Sequence, residues 1–295
     1  MPDREPKIYL LPNLMTAGNL FCGFSAVLRI FEGMLAPPGE EVQYYYHAIW
    51  FILGACIFDL LDGRVARLVG TESEFGREFD SIADIVSFGM APALLVFDIV
   101  LASIPEGYGY LIAFVYLLCG AMRLARFNCV SNLPKEAESG KGGGDFVGVP
   151  IPAAAGLIAS ITLFLLHSFG GGEGLGKLRH GLWVLMLLLS YLMFSKIRFP
   201  SFKALNWRTK RSIPWVFAVV ILIVFTVRNY WFMPAVIFLA YIGYGLGRPW
   251  ISRRWRRQIE IEIGAEAEPE GEAEGEAEVD IGTEEGAATE DSRRA

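Results

Sequence analysis

The chain has 295 residues, of which 53% are hydrophobic and only 20% are charged, with a mean hydropathy of +0.39. Soluble domains carry roughly 25% charged residues, and here the charge is also sorted along the chain. Residues 259–295 hold 14 acidic and 2 basic residues, a net of −12, so the total of −6 leaves +6 on residues 1–258. A basic, very apolar body followed by an acidic tail excludes an ordinary soluble one- or two-domain protein. Cys22, Cys56, Cys119 and Cys129 are widely spaced with no CxxC pair, which argues against a disulfide framework or a structural zinc site.

In chain order, eight apolar stretches are predicted as membrane spans, since a bilayer core of ~30 Å needs about 20 apolar residues. They cover about 10–31, 45–68, 80–103, 108–128, 149–169, 181–195, 213–228 and 231–247, the sixth and seventh being short. The first follows a polar start and lacks a small-residue cleavage site, so it reads as a span rather than a removable signal. Pro37-Pro38, Pro105, Gly142–Gly144, Gly170–Gly172 and Pro200 punctuate the connections. Barrel strands would be about 10 residues long with alternating polarity, whereas these runs are longer and continuously apolar. The fold expected is all-α: a polytopic membrane helix bundle of about eight transmembrane helices spanning residues 1–250. Residues 251–258 form a basic juxtamembrane segment. The Glu-Ala-Glu and Glu-Gly-Glu repeats of the tail, 259–295, are too charged to bury a core and are expected to be disordered.

Lys and Arg set the orientation. With the N-terminus inside, 22 of the 26 basic residues fall in inner segments, and only Arg29, Lys177, Arg179 and Arg228 fall at outer ends. Both termini are then cytoplasmic. His47, His167 and His180 all lie at the outer side, so a general base at the inner side must be a carboxylate or a lysine.

The second stretch ends Asp59-Leu-Leu-Asp62-Gly63-Arg-Val-Ala66-Arg67, and the third begins Asp80-Ser-Ile-Ala-Asp84. Ionisable residues inside a span are costly and usually functional. Asp59 and Asp62 share one helix face at i,i+3, and Asp80 and Asp84 share another at i,i+4. The short connection predicts antiparallel neighbours, so four carboxylates can converge at the cytoplasmic end. One nearby Arg67 cannot offset four like charges in a low dielectric. Divalent cations can, and oxygen ligands suit Mg²⁺ or Mn²⁺. Gly63 and Ala66 leave room beside them. Asp98 lies ~27 Å further along the third helix and is left outside the site.

These residues carry a resemblance. The run Asp59-x2-Asp62-Gly63-x2-Ala66-Arg67-x8-Gly76-x3-Asp80-x3-Asp84 resembles the signature of the CDP-alcohol phosphatidyltransferase family at every defined position. Asp80–Pro92, Arg123-Leu-Ala-Arg126-Phe-Asn128, Gly148–Ala153 and the opening Leu11–Thr16 are similar to its membrane-embedded phosphatidylserine synthase branch. The resemblance covers roughly residues 8–250, and the last two predicted spans exceed the six-helix core of the wider family.

The resemblance implies transfer of the phosphatidyl group of CDP-diacylglycerol to the hydroxyl of L-serine, giving phosphatidylserine and CMP. It implies two divalent ions held by Asp59, Asp62, Asp80 and Asp84, with Asp84 also the base. It implies CDP-diacylglycerol contacts from Asn13, Thr16, Gly63, Ala66, Arg67, Ser73 and Gly76. Arg123, Arg126 and Asn128 are candidates for the serine carboxylate, because an Arg fork suits a carboxylate. Lys196 and Arg198 are further candidates. The partners expected are the two substrates and membrane lipid, with no nucleic acid, and the family implies a homodimer. Three other readings stay open: a relative using glycerol phosphate or inositol phosphate as acceptor, an archaeal-type lipid donor, and a transporter with an acidic cation site.

Overall fold

The computed structural model describes residues 10–69, 74–104, 107–131, 146–170, 179–199, 221 and 224–247. Its helices are α1 (Leu10–Leu35), α2 (Glu41–Val69), α3 (Glu74–Asp84), α4 (Ala91–Ile99), α5 (Tyr108–Ser131), α6 (Ile151–Phe169), α7 (Arg179–Phe194) and α8 (Met233–Gly247). A π-helical segment, Ile85–Met90, joins α3 to α4, so Glu74–Ile99 forms one span. Among the described residues, five helices are long and apolar enough to cross a bilayer, and His180–Phe194 and Met233–Gly247 are shorter apolar helices. This is an integral membrane protein. The expected stretch at 213–228 falls mostly outside the described residues, as do the basic segment and the acidic tail. The third span starts at Glu74 rather than near residue 80, which sets Asp80 and Asp84 within it rather than at its start.

α1 and α2 form a hairpin. Pro37-Pro38-Gly39 turns the chain, with the Glu40 N–H donating to the Pro37 carbonyl at 3.0 Å and Gly39 at φ 95°, where a side chain would be strained. Cys22, Ala26, Val27 and Ile30 of α1 and Ala48, Ile49, Ile52 and Ala55 of α2 belong to one buried core. α1 also packs on α3, the π-helical segment and α4, whereas α2 meets the third span chiefly at the π-helical segment and α4. The expected antiparallel pairing of the second and third spans is thus mediated by α1, because small residues on α1 bring it close to both. A Cβ on Gly18 would lie 2.8 Å from the Phe58 ring of α2. One on Gly23 would lie 2.6 Å from the Ser87 Cα.

The π-helical segment has a local cause. Pro92 has no N–H, so the carbonyl of Phe88, four residues earlier, lacks its regular helical donor. The hydroxyl of Tyr116 on α5 donates to that carbonyl at 3.1 Å, and both residues are fully buried. Away from water a freed carbonyl needs such a partner.

α6 is the most buried helix, its Ala153-Ala154-Ala155-Gly156 run lying wholly inside the bundle. The Phe238 ring of α8 sits against Gly156. Among the described residues the all-α expectation has one exception. Phe146–Val147 (β1) and Arg198–Phe199 (β2) pair antiparallel, Phe146 opposite Phe199, and the buried Phe199 side chain packs on Gly245 and Tyr241 of α8.

Candidate active site

One end of the bundle gathers the start of α1, the end of α2, α3 and the end of α5. Asp59, Asp80 and Asp84 each present a carboxylate oxygen there, and these oxygens lie within 4.8 Å of one another. Two come from the third span one turn apart, and the third comes from α2, so the cluster depends on α1 holding these elements together. Asp62 shares this end but stands beside the trio. Its buried carboxylate accepts a hydrogen bond from the Thr16 hydroxyl of α1. Asp84 accepts one from the Asn19 amide at 3.0 Å.

The charge balance is unequal. Arg123 of α5 has Asp59 and Asp84 in electrostatic range, yet makes no ion pair within 4.0 Å among the described residues. Asp80 Oδ1 is buried and lacks a hydrogen-bond partner among them, as does Arg123 Nε. An orphaned anionic oxygen beside two more carboxylates, with one cation at a distance, is a donor set that fits a divalent metal ion. Among the described residues, a Cβ added at Gly63 would meet nothing within 4 Å.

The structure brings Asn13, Thr16, Gly63 and Gly76 to this end of the bundle. Asn13 Nδ2 is buried with no hydrogen-bond partner among the described residues. Ala66 and Arg67 continue α2, but their side chains lie outside the described residues, as does Ser73. Of the three acceptor candidates, Arg123 is half-buried and faces the aspartates, while Arg126 is exposed. The Asn128 amide donates to Ser81 Oγ at 3.0 Å, with longer approaches to the Glu78 carboxylate at 3.4 and 3.5 Å. It therefore ties α5 to α3. Lys196, just past α7, is exposed.

Asn19 and Ser87 were missed by sequence reasoning. Asn19 lies i,i+3 from Thr16 inside an apolar helix, and a fully buried amide there was the available signal. The opposite end of the bundle holds the groups expected to be remote. Asp98 accepts from the Tyr45 hydroxyl, and His167 stacks on Trp231 with ring centroids 5.1 Å apart. The four cysteines are free.

Residues 9–194 match the family model for CDP-alcohol phosphatidyltransferase. That stretch contains every aspartate of the cluster. The chain belongs to the CDP-alcohol phosphatidyltransferase family. Its relatives within that family include a CDP-diacylglycerol–serine O-phosphatidyltransferase of Helicobacter pylori strain J99, 37% identical over 69% of this chain and 77% of the relative. The Bacillus subtilis protein of the same name is 34% identical over 65% of this chain and 91% of its own. An archaetidylserine synthase of Methanothermobacter thermautotrophicus is 32% identical over 68% and 74% respectively.

Proposed function

We propose that the protein transfers the phosphatidyl group of CDP-diacylglycerol to L-serine, forming phosphatidylserine and CMP in phospholipid biosynthesis. The observation that carries this reading is the meeting of Asp59, Asp80 and Asp84 within 4.8 Å in a family whose similar members are named for a serine product. Those names favour serine over glycerol phosphate or inositol phosphate as acceptor. Family membership favours an enzyme over a transporter.

In this reading Asp59, Asp62, Asp80 and Asp84 hold two divalent ions, Mg²⁺ or Mn²⁺. When bound, such ions neutralise the carboxylates and draw charge from the diphosphate and from the oxygens that attack and leave. The chain's own residues do the rest. Thr16 holds Asp62 by its hydroxyl. Asn13, whose amide nitrogen has no partner among the described residues, and Gly63, where a Cβ would meet none of them within 4 Å, receive the nucleotide diphosphate, alongside Ala66, Arg67, Ser73 and Gly76. Arg123 offers its guanidinium to the serine carboxylate, with Arg126 at the rim.

The serine hydroxyl oxygen forms a bond to the phosphorus that carries diacylglycerol. The bond from that phosphorus to the CMP oxygen breaks, and CMP leaves with the bonding pair. Asp84 takes the hydroxyl proton, a contribution of about 10²–10⁴-fold for a positioned base. The site faces the cytoplasm, where 22 of the 26 basic residues would also lie.

The test is direct. Purified protein is given CDP-diacylglycerol and labelled serine with Mg²⁺ or Mn²⁺, and labelled lipid is measured with glycerol phosphate or inositol phosphate as competitor. Labelled phosphatidylserine, undiminished by the competitors, is the expected product. Label-free lipid with CMP released only when a competitor is present would reassign the acceptor.

A further inference from the structure

The turn Asp84–Ser87 is attached to a single residue of α1 at two points. The Asn19 side-chain amide donates to Asp84 Oδ1 at 3.0 Å. The Ser87 hydroxyl donates to the Asn19 backbone carbonyl, also at 3.0 Å. Asn19 and Ser87 are both fully buried. One turn along α1, Gly23 lets the helices approach so closely that a Cβ there would lie 2.6 Å from the Ser87 Cα. The π-helical segment begins immediately after Asp84, so this turn lies where the third span leaves regular helical geometry.

The carboxyl torsion of an aspartate is broad and roughly two-fold. A single donor on one oxygen, itself fixed in place, removes that freedom and leaves the second oxygen free to act. The fixed donor here is Asn19, and Ser87 and Gly23 hold Asn19. A purely architectural buried amide would be expected to join two helix backbones. This one spends its donor on a carboxylate of the cluster, and its Oδ1 is buried with no partner among the described residues.

We propose that Asn19 is a positioning residue that fixes the Asp84 carboxylate for transfer, and that Ser87 and Gly23 exist to hold Asn19 in register. This rests on the reading of Asp84 as part of the transfer site. It adds a residue outside the aspartate spacing pattern and assigns it no direct contact with substrate.

The experiment uses the full-length protein in lipid nanodiscs and four variants: Asn19→Leu, Ser87→Ala, Asp84→Asn and the double Asn19→Leu/Asp84→Asn. Serine transfer and CDP-diacylglycerol binding are measured separately, binding in the absence of serine. Loss of a hydrogen bond to a charged group predicts a fall in kcat on the order of 10- to 100-fold for Asn19→Leu. CDP-diacylglycerol affinity should stay within about three-fold, since an interaction used only in the transition state does not alter substrate binding. Ser87→Ala keeps both partners and should show a smaller loss of the same kind, which keeps the test open if Asn19→Leu does not assemble. Residues acting as one unit are non-additive, so the double variant should be no slower than Asp84→Asn alone.

The proposal is overturned if Asn19→Leu and Ser87→Ala both turn over like the parent. It is overturned equally if they weaken CDP-diacylglycerol binding as much as they slow transfer, or if Asn19→Leu slows the Asp84→Asn background further. Failure of the underlying reading looks different: the parent protein itself would make no labelled phosphatidylserine.

Discussion

Gly63 allows stability and ligand binding to be separated by one methyl group. The residue lies in α2, one position past Asp62, and a Cβ built there would meet no atom of the described residues within 4 Å. Among the described residues, Gly63→Ala therefore introduces no overlap. It removes the entropic penalty of a helical glycine, about 0.8–1.0 kcal/mol, so the variant should be as stable as the parent or slightly more so. If the open space is where the nucleotide diphosphate approaches the helix backbone, the same methyl group intrudes on the ligand. Overpacking a well-fitted contact costs about 1–3 kcal/mol, which is roughly a 5- to 150-fold rise in Kd for CDP-diacylglycerol. Thermal unfolding in detergent and nucleotide-lipid binding, measured on the same preparation, give the two signs. A variant that binds CDP-diacylglycerol like the parent refutes the placement of the diphosphate at Gly63. One that loses stability and binding together refutes the packing argument.

Chelation should abolish transfer and added Mg²⁺ or Mn²⁺ should restore it, and Asp80→Asn should not be restorable; full turnover in excess chelator would sink the metal assignment. Asp84→Asn should keep CDP-diacylglycerol affinity within a few-fold while losing nearly all transfer, whereas Asp59→Asn should lose both; binding and turnover of the two variants side by side decide this. Tyr116→Phe removes a buried hydrogen bond to the Phe88 carbonyl and should destabilise the bundle by ~0.5–1.5 kcal/mol, the range for a buried hydrogen bond and for those between membrane helices. In a Pro92→Ala background the helix supplies its own N–H and the same change should cost less, which a double-mutant cycle on unfolding will read. Truncation after Gln258 should leave insertion and turnover largely intact, since none of the proposed site residues lies in 259–295; assay of the truncated enzyme in membranes checks it.

The aspartate spacing was legible because helical periodicity converts i,i+3 and i,i+4 into shared faces, and a charged residue inside an apolar run stands out against the bilayer's demand. That reasoning foresaw that Asp59, Asp80 and Asp84 would meet. It did not separate Asp62 from them, because its partner, Thr16, lies 46 residues away and spacing within one helix says nothing about a third. The pairing of Asn19 with Asp84 across 65 residues was hidden for the same reason. Pro92 was visible in the sequence, but spacing alone does not say that the chain absorbs it in a wider turn or that Tyr116 of α5 donates to the Phe88 carbonyl. Asn128 is a serine-binding candidate from its place beside two arginines; that its amide also reaches Ser81 and Glu78 of α3 is not legible from spacing on α5. The strand pair was illegible because two residues on each side carry no alternation to detect.

The Phe238 ring fills the notch at Gly156, and Phe238 lies beyond the stretch that the family model covers. α8 is therefore keyed into the family-matched part of the chain at a position where that part has no side chain of its own. Lineages that lack such a helix should carry a bulkier residue in place of Gly156, and lineages that have it should keep the position small. The pair would then drift together in evolution, so that the size of one residue in the fifth span records whether the chain goes on to build another.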